Sequence, residues 1–209
     1  MPAWRSRSDA LNRAALVTSV AGAAGAVTAA LLLLGGGGDE DGAPATRLVT
    51  PPAVADGAYR LVADTAALEK EGIAVQPGMP EGTVSVLARY ARADDPKATL
   101  SLSGAYGGVG EPKAVLDGML KGFEEGPGSP AVVSARHVLT PDGPEGPALT
   151  CEVVRLDGRT YAPACAWAEK SDAALLIGFD PRKTSAAGVD ETAFAKVTAR
   201  VYRDVRGTG

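Results

Sequence analysis

The sequence predicts an α+β fold, a mostly antiparallel sheet covered by two amphipathic helices and preceded by one transmembrane helix. Three observations carry this expectation. Residues 14–34 form an uncharged apolar run. Several later segments alternate apolar and polar residues between short turns, as half-buried strands do. Two stretches, "PKAVLDGMLKGFEE" and "ETAFAKVTARVYRDV", instead repeat their apolar residues at helical spacing.

The run "AALVTSVAGAAGAVTAALLLL" covers Ala14 to Leu34. At the rise of an α-helix it spans roughly 30 Å, the thickness of a bilayer hydrocarbon core. Arg5, Arg7 and Arg13 precede it, whereas Asp39, Glu40 and Asp41 follow. That asymmetry predicts a cytoplasmic tail over 1–13, a membrane anchor over 14–34 and a C-terminal part outside the cell. Cleavage as a signal peptide, giving a secreted protein, is the alternative, because "APA" at Ala43 to Ala45 is a small-x-small site. Thr18, Gly22, Ala26 and Ala30 recur every four residues and offer a possible helix-packing face toward another membrane or envelope protein.

Residues 35–58 mix Gly, Pro and acidic side chains without apolar periodicity and are expected to form a flexible tether. As a random coil it would reach about 25–30 Å. The extracytoplasmic domain is then expected over 59–206. Asp64 suits the N-cap of a short helix that stops at Gly72. "TVSVLARYAR" and "ATLSLSGAY" alternate on either side of Asp94-Asp95-Pro96, which predicts a hairpin. Pro112 suits a first helical turn, with Val115, Leu116, Met119, Leu120 and Phe123 on one face. Four strand-like runs follow, and the last, Ala173 to Phe179, is apolar on both faces, as in a strand inside a sheet. In the final helix Phe194, Val197, Val201, Tyr202 and Val205 share a side. Asp190 and Glu191 stand at its start, and Arg203, Arg206 and Gly207 at its end.

The formal charge is −4, and the three Arg and one Asp of residues 1–13 leave −6 for the rest. An acidic external part without a basic stripe argues against nucleic acid as a partner. No catalytic, cofactor-binding or metal-binding pattern is complete. "GGVGEPK" gives only half of a phosphate-binding glycine motif, because Lys113 stands where the third glycine belongs and Pro112 lacks an amide. His137 is the single histidine, too few for most triads or zinc sites. Lys183-Thr184-Ser185 faintly resembles one element of penicillin-binding enzymes, without its partner motifs. Asp94-Asp95 and Glu124-Glu125 are adjacent pairs, which do not supply two carboxyls facing across a cleft.

Cys151 and Cys165 are the only cysteines, 14 positions apart. The spacing excludes a C-x-x-C redox site, and outside the membrane a disulfide is the simplest reading. Asp157-Gly158 marks a hairpin turn. If those two residues are the whole loop, Cys151 faces Ala164 and Cys165 lies on the opposite side of the sheet. A bridge therefore requires a one-residue shift, either from a bulge at Pro163 or from a three-residue loop, Asp157 to Arg159. In both cases the Cα atoms should stand about 4.4–6.8 Å apart, and Trp167 should share the face of Cys165.

The basic N-terminus, Ala/Gly-rich span, acidic Pro-rich tether and late "C…PACAWAE" element resemble single-pass or secreted proteins of Streptomyces-type actinobacteria. In element order alone the external part is similar to Mog1/PsbP-like lipoprotein domains. Neither resemblance implies an activity or a site residue. The expected function is a non-catalytic cell-envelope module, tethered to the membrane, that binds a protein or small ligand outside the cell without a cofactor. The alternatives are an extracytoplasmic enzyme and an accessory or sensor subunit of a membrane complex. An apolar cavity beside the sheet would favour ligand binding, and a deep cleft converging on His137 and a carboxylate would favour the enzyme.

Overall fold

The computed structural model describes residues 46–73, 82–125 and 129–208. In chain order these form β1 (Thr46–Leu48), β2 (Ala53–Val54), β3 (Tyr59–Ala63), α1 (Thr65–Lys70), β4 (Val84–Arg92), β5 (Thr99–Tyr106) and α2 (Pro112–Glu125). There follow β6 (Ala131–Leu139), β7 (Leu149–Leu156), β8 (Thr160–Ala168), β9 (Asp172–Phe179), a 3-10 turn at Ala186–Gly188, α3 (Glu191–Val205) and β10 (Arg206–Thr208). The anchor segment 14–34, with Thr18, Gly22, Ala26 and Ala30, lies outside the described residues. Among those described, no helix is long and apolar enough to cross a membrane.

Eight strands form one sheet in the order β2-β3-β4-β5-β9-β8-β7-β6, and every pairing is antiparallel. The β4–β5 hairpin is local, as expected. The connection through α2 then carries the chain to the far edge, and β6 to β9 meander back until β9 lies against β5. Alternation along each strand makes two cores. On one face Tyr90, Leu100, Leu102, Cys151, Cys165, Trp167 and Leu176 pack beneath Phe194, Ala195, Ala199, Val201 and Val205 of α3. On the other, Val154, Ala162, Ala164, Ala166 and Leu175 receive Leu120 and Phe123 of α2. Leu68 of α1 packs with Ala63 and Leu87 in a third cluster. The α+β class and antiparallel sheet therefore match the expectation, with α2 and α3 on opposite faces.

The helices start where their caps place them. Asp64 and Asp190 each accept a hydrogen bond from the amide three residues on, Ala67 and Ala193, at 2.9 and 2.8 Å. Helix α3 ends one residue earlier than expected, because Arg206 and Gly207 continue as β10 against β1.

That pairing corrects the tether boundary. Residues 46–58 belong to the folded body: β1 pairs with β10, β2 pairs with β3, and Leu48, Val54 and Ala55 are buried in the larger core. Two- and three-residue strands separated by Pro51-Pro52 are too short to show periodicity in sequence.

The cysteines form a disulfide, and Cys151 stands directly opposite Cys165. The one-residue shift comes from the loop. Leu156 pairs with Thr160, so Asp157, Gly158 and Arg159 form the connection, and Pro163 pairs with Val153 in an unbroken ladder. Asp157 and Gly158 both have positive φ, 46° and 75°, and the Arg159 amide donates to the Leu156 carbonyl at 3.0 Å. The Cα atoms stand 4.1 Å apart, just under the expected range. This value is closer to the narrow, non-hydrogen-bonded sites of an antiparallel ladder than to the wide ones. Trp167 shares the Cys165 face, as expected. Replacing both cysteines by Ala should cost about 3 kcal/mol through the freed 15-residue loop; a lowered urea midpoint at unchanged slope would register this loss.

At the end of α3 a polar cluster locks helix to sheet. Asp172, 0% exposed, accepts from the Trp167 indole N–H at 2.9 Å. It also accepts from Arg206 Nε at 3.0 Å and from the Ser171 hydroxyl at 3.1 Å. Arg206 lies over the Tyr202 ring, 4.5 Å from its centroid, and Trp167 meets Tyr202 edge-on at 5.4 Å.

Candidate functional site

A cavity of about 190 Å³ opens between the first two turns of α3 and the sheet. Its position follows from where β8 and β9 part. Their ladder ends at Ala164 opposite Ile177, and the Tyr161 amide donates instead to the Lys183 carbonyl at 2.7 Å. Pro163 stands between, where a residue without an N–H loses no ladder bond. Leu100 and Phe179 supply apolar walls from the sheet, and Phe194 and Val197 from α3. Gly178 permits the arrangement: a Cβ there would lie 2.6 Å from the Phe194 ring, which rests flush against the strand.

Six polar side chains line the cavity: Tyr59, Arg92, Thr99, Asp180, Lys183 and Asp190. Asp180 accepts from Arg182 through both carboxylate oxygens, at 2.9 and 2.8 Å. Those hydrogen bonds hold its carboxyl down at about 2. Asp190 is occupied as the helix cap. Arg92 is paired with Asp94 at 2.7 Å and Asp95 at 3.6 Å. Tyr59 has its pKa raised, chiefly by burial, so its hydroxyl is neutral. Lys183, half-buried, has no carboxylate within 4.0 Å among the described residues.

The residues weighed earlier as chemical candidates fall elsewhere. His137 sits on the edge strand β6, its side chain 44% exposed, with Nε2 3.6 Å from Glu191. Asp94 and Asp95 form the β4–β5 turn. Glu124 is bound to Arg136, while Glu125 stands 3.8 Å from Lys121. The Gly108–Gly110 loop joins β5 to α2, where Val109 is buried. Of the Lys183-Thr184-Ser185 element only Lys183 lines the cavity. Among the described residues no group of three or more His, Cys, Asp or Glu is placed to hold a metal ion.

A second chemical feature was missed in sequence. Glu152 on β7 is 0% exposed, and neither carboxylate oxygen has a hydrogen-bond partner. Arg136 Nε stands 3.9 Å from it but 2.6 Å from Glu124. Burial first, and the Glu124 carboxylate second, push Glu152 up to about 8. The available signal was its parity: Glu152 occupies the same strand face as Val154 and Leu156, where an apolar residue belongs.

No protein-family model, curated protein or solved structure matches the chain.

Proposed function

We propose that the chain is a non-catalytic cell-envelope module, tethered to the membrane through residues 14–34, whose external domain binds a small ligand in the cavity beneath α3. The cavity itself carries the reading. It is concave and mainly apolar, with a few polar groups converging on it, as small-molecule sites are. At about 190 Å³ it admits little more than one ring, since an apolar cavity of about 150 Å³ holds benzene. The exposed position of His137 favours this over the enzyme alternative. The disulfide supports an oxidising compartment, and the charge asymmetry about the apolar span supports the orientation.

The test is a panel of single-ring compounds added to the full chain in lipid nanodiscs, read by amide NMR shifts. Signals of Gly178, Phe179 and Ala193 should move together and saturate. Ala193→Leu places bulk at the cavity mouth while keeping a strong helix former. It should abolish the shifts and leave the melting temperature within about 2 °C, as for a surface change near ±0.5 kcal/mol. Shifts that persist in Ala193→Leu, or a panel that moves none of these signals, would sink the reading.

A further inference from the structure

We infer that one proton, held between Glu152 of β7 and Glu124 in the last turn of α2, latches the C-terminal end of α2 to the sheet, and that its loss frees that end while the rest of the domain stays folded. Helix α2 lines no part of the cavity, so this device stands apart from ligand binding. A bulge prepares the site. Ser134 pairs with Val153 and His137 with Cys151, so two residues, Ala135 and Arg136, stand opposite the single Glu152. Bulges re-aim side chains, and here Arg136 Nε reaches Glu124 at 2.6 Å while Glu152 is left at 3.9 Å. Glu152 is 0% exposed, and no donor reaches either oxygen. Ionisation in that state is costly, so the group keeps its proton. The protonated carboxyl then has the Glu124 carboxylate as its acceptor. Thus α2, β6 and β7 meet through one guanidinium and one proton.

The other groups around Glu152 supply no replacement. Glu191 of α3 repels it and is itself 3.6 Å from His137, β8 places only Ala164 opposite, and Asp117 of α2 acts on Arg136. Deprotonation would set two carboxylates against each other with a single guanidinium for both. Helix α2 is the element that yields. Its buried anchors are Leu120 and Phe123, with Leu116 and Met119 at the margin. Helix α3 buries a longer stripe and is tied at its end through Arg206 to Asp172 and through β10 to β1. Segments with fewer buried contacts open first.

The test is amide hydrogen exchange of the full chain in lipid nanodiscs, at low urea and from about pH 5 to 8. After correction for intrinsic exchange, the Leu120 and Phe123 amides should exchange through an opening nearly insensitive to urea, because little surface is exposed. Its equilibrium should rise up to about tenfold per pH unit, since the open state has released a proton that the closed state keeps up to about pH 8. The Ala195 and Ala199 amides of α3 should be better protected and urea-sensitive, which also establishes that the domain is folded. Glu152→Gln places an amide N–H where the carboxyl proton was and should remove the rise. If the α2 amides exchange only together with those of α3, global unfolding is the sole route and the latch is overturned. An opening of α2 that does not change with pH overturns it too, as does a rise that survives Glu152→Gln.

Discussion

Asp172→Ala is expected to lower folding stability by about 3–5 kcal/mol, the range for removing one partner of a buried charge pair. The residue is 0% exposed and accepts from Trp167, Ser171 and Arg206 together. Truncation strands a buried indole N–H and leaves the guanidinium, 24% exposed, without its counter-charge. It also frees the helix end, because Arg206 begins the strand that pairs with β1. For a domain of this size the melting temperature should fall by roughly 10 °C or more. Asp172→Asn keeps an acceptor for Trp167 and loses the charge, so its penalty should be smaller. A loss below about 1 kcal/mol for the alanine variant would contradict the role given to this cluster.

Much of this fold was legible because local pattern and tertiary environment agree. The apolar run of β9 follows from neighbours on both sides and helices on both faces. The apolar stripes of α2 and α3 follow from one buried side each, although Val115, Leu116, Met119, Val197 and Tyr202 are only half-buried at the margins. What periodicity does not carry is which strands meet across distance. The β5–β9 pairing spans α2 and three strands, and its register is set by packing. The strands β1 and β2 escaped for another reason. Strand β1 is held by a partner remote in sequence, β10, and β2 is only two residues long, with the Ala55 amide beyond it donating to Asp204 of α3 at 2.6 Å.

The site was less legible than the fold, and the reason is physical. A cavity is a property of where elements fail to meet, and here β8 and β9 part beyond Ala164 and Ile177. Neither Pro163 nor Gly178 announces that in sequence, although both are needed for it. Lys183 was noticed only as part of a weak motif, whereas its place comes from the loop returning beside Tyr161. The disulfide was different, because two cysteines and one turn leave few arrangements, and the register arithmetic reduced them to two.

Glu152→Gln is expected to abolish a pH dependence of stability that the native chain carries between about pH 4.5 and 8. The Glu152 carboxyl is raised in the folded state from 4.5 to about 8, by burial and then by Glu124, against a smaller lowering by Arg136. Between those values the unfolded chain has released the proton while the folded chain still holds it. The unfolded state then binds fewer protons, so stability falls as pH rises through the window. At 1.36 kcal/mol per unit the ceiling is roughly 4–5 kcal/mol. Burial sets the sign, and the charged groups around it add to it on balance. Glu124 on α2 takes the Arg136 hydrogen bond, and Glu191 on α3 adds a weaker repulsion. The single guanidinium therefore serves the more exposed acid. Urea unfolding at pH 5, 6.5 and 8 should show native stability declining by several kcal/mol relative to Glu152→Gln, with the two nearest at pH 5. Glu124→Gln should also flatten the decline, because Arg136 is then released to Glu152 and lowers its pKa. Parallel native and Glu152→Gln profiles would show that the buried carboxyl is ionised in the fold, with Arg136 shared between both acids.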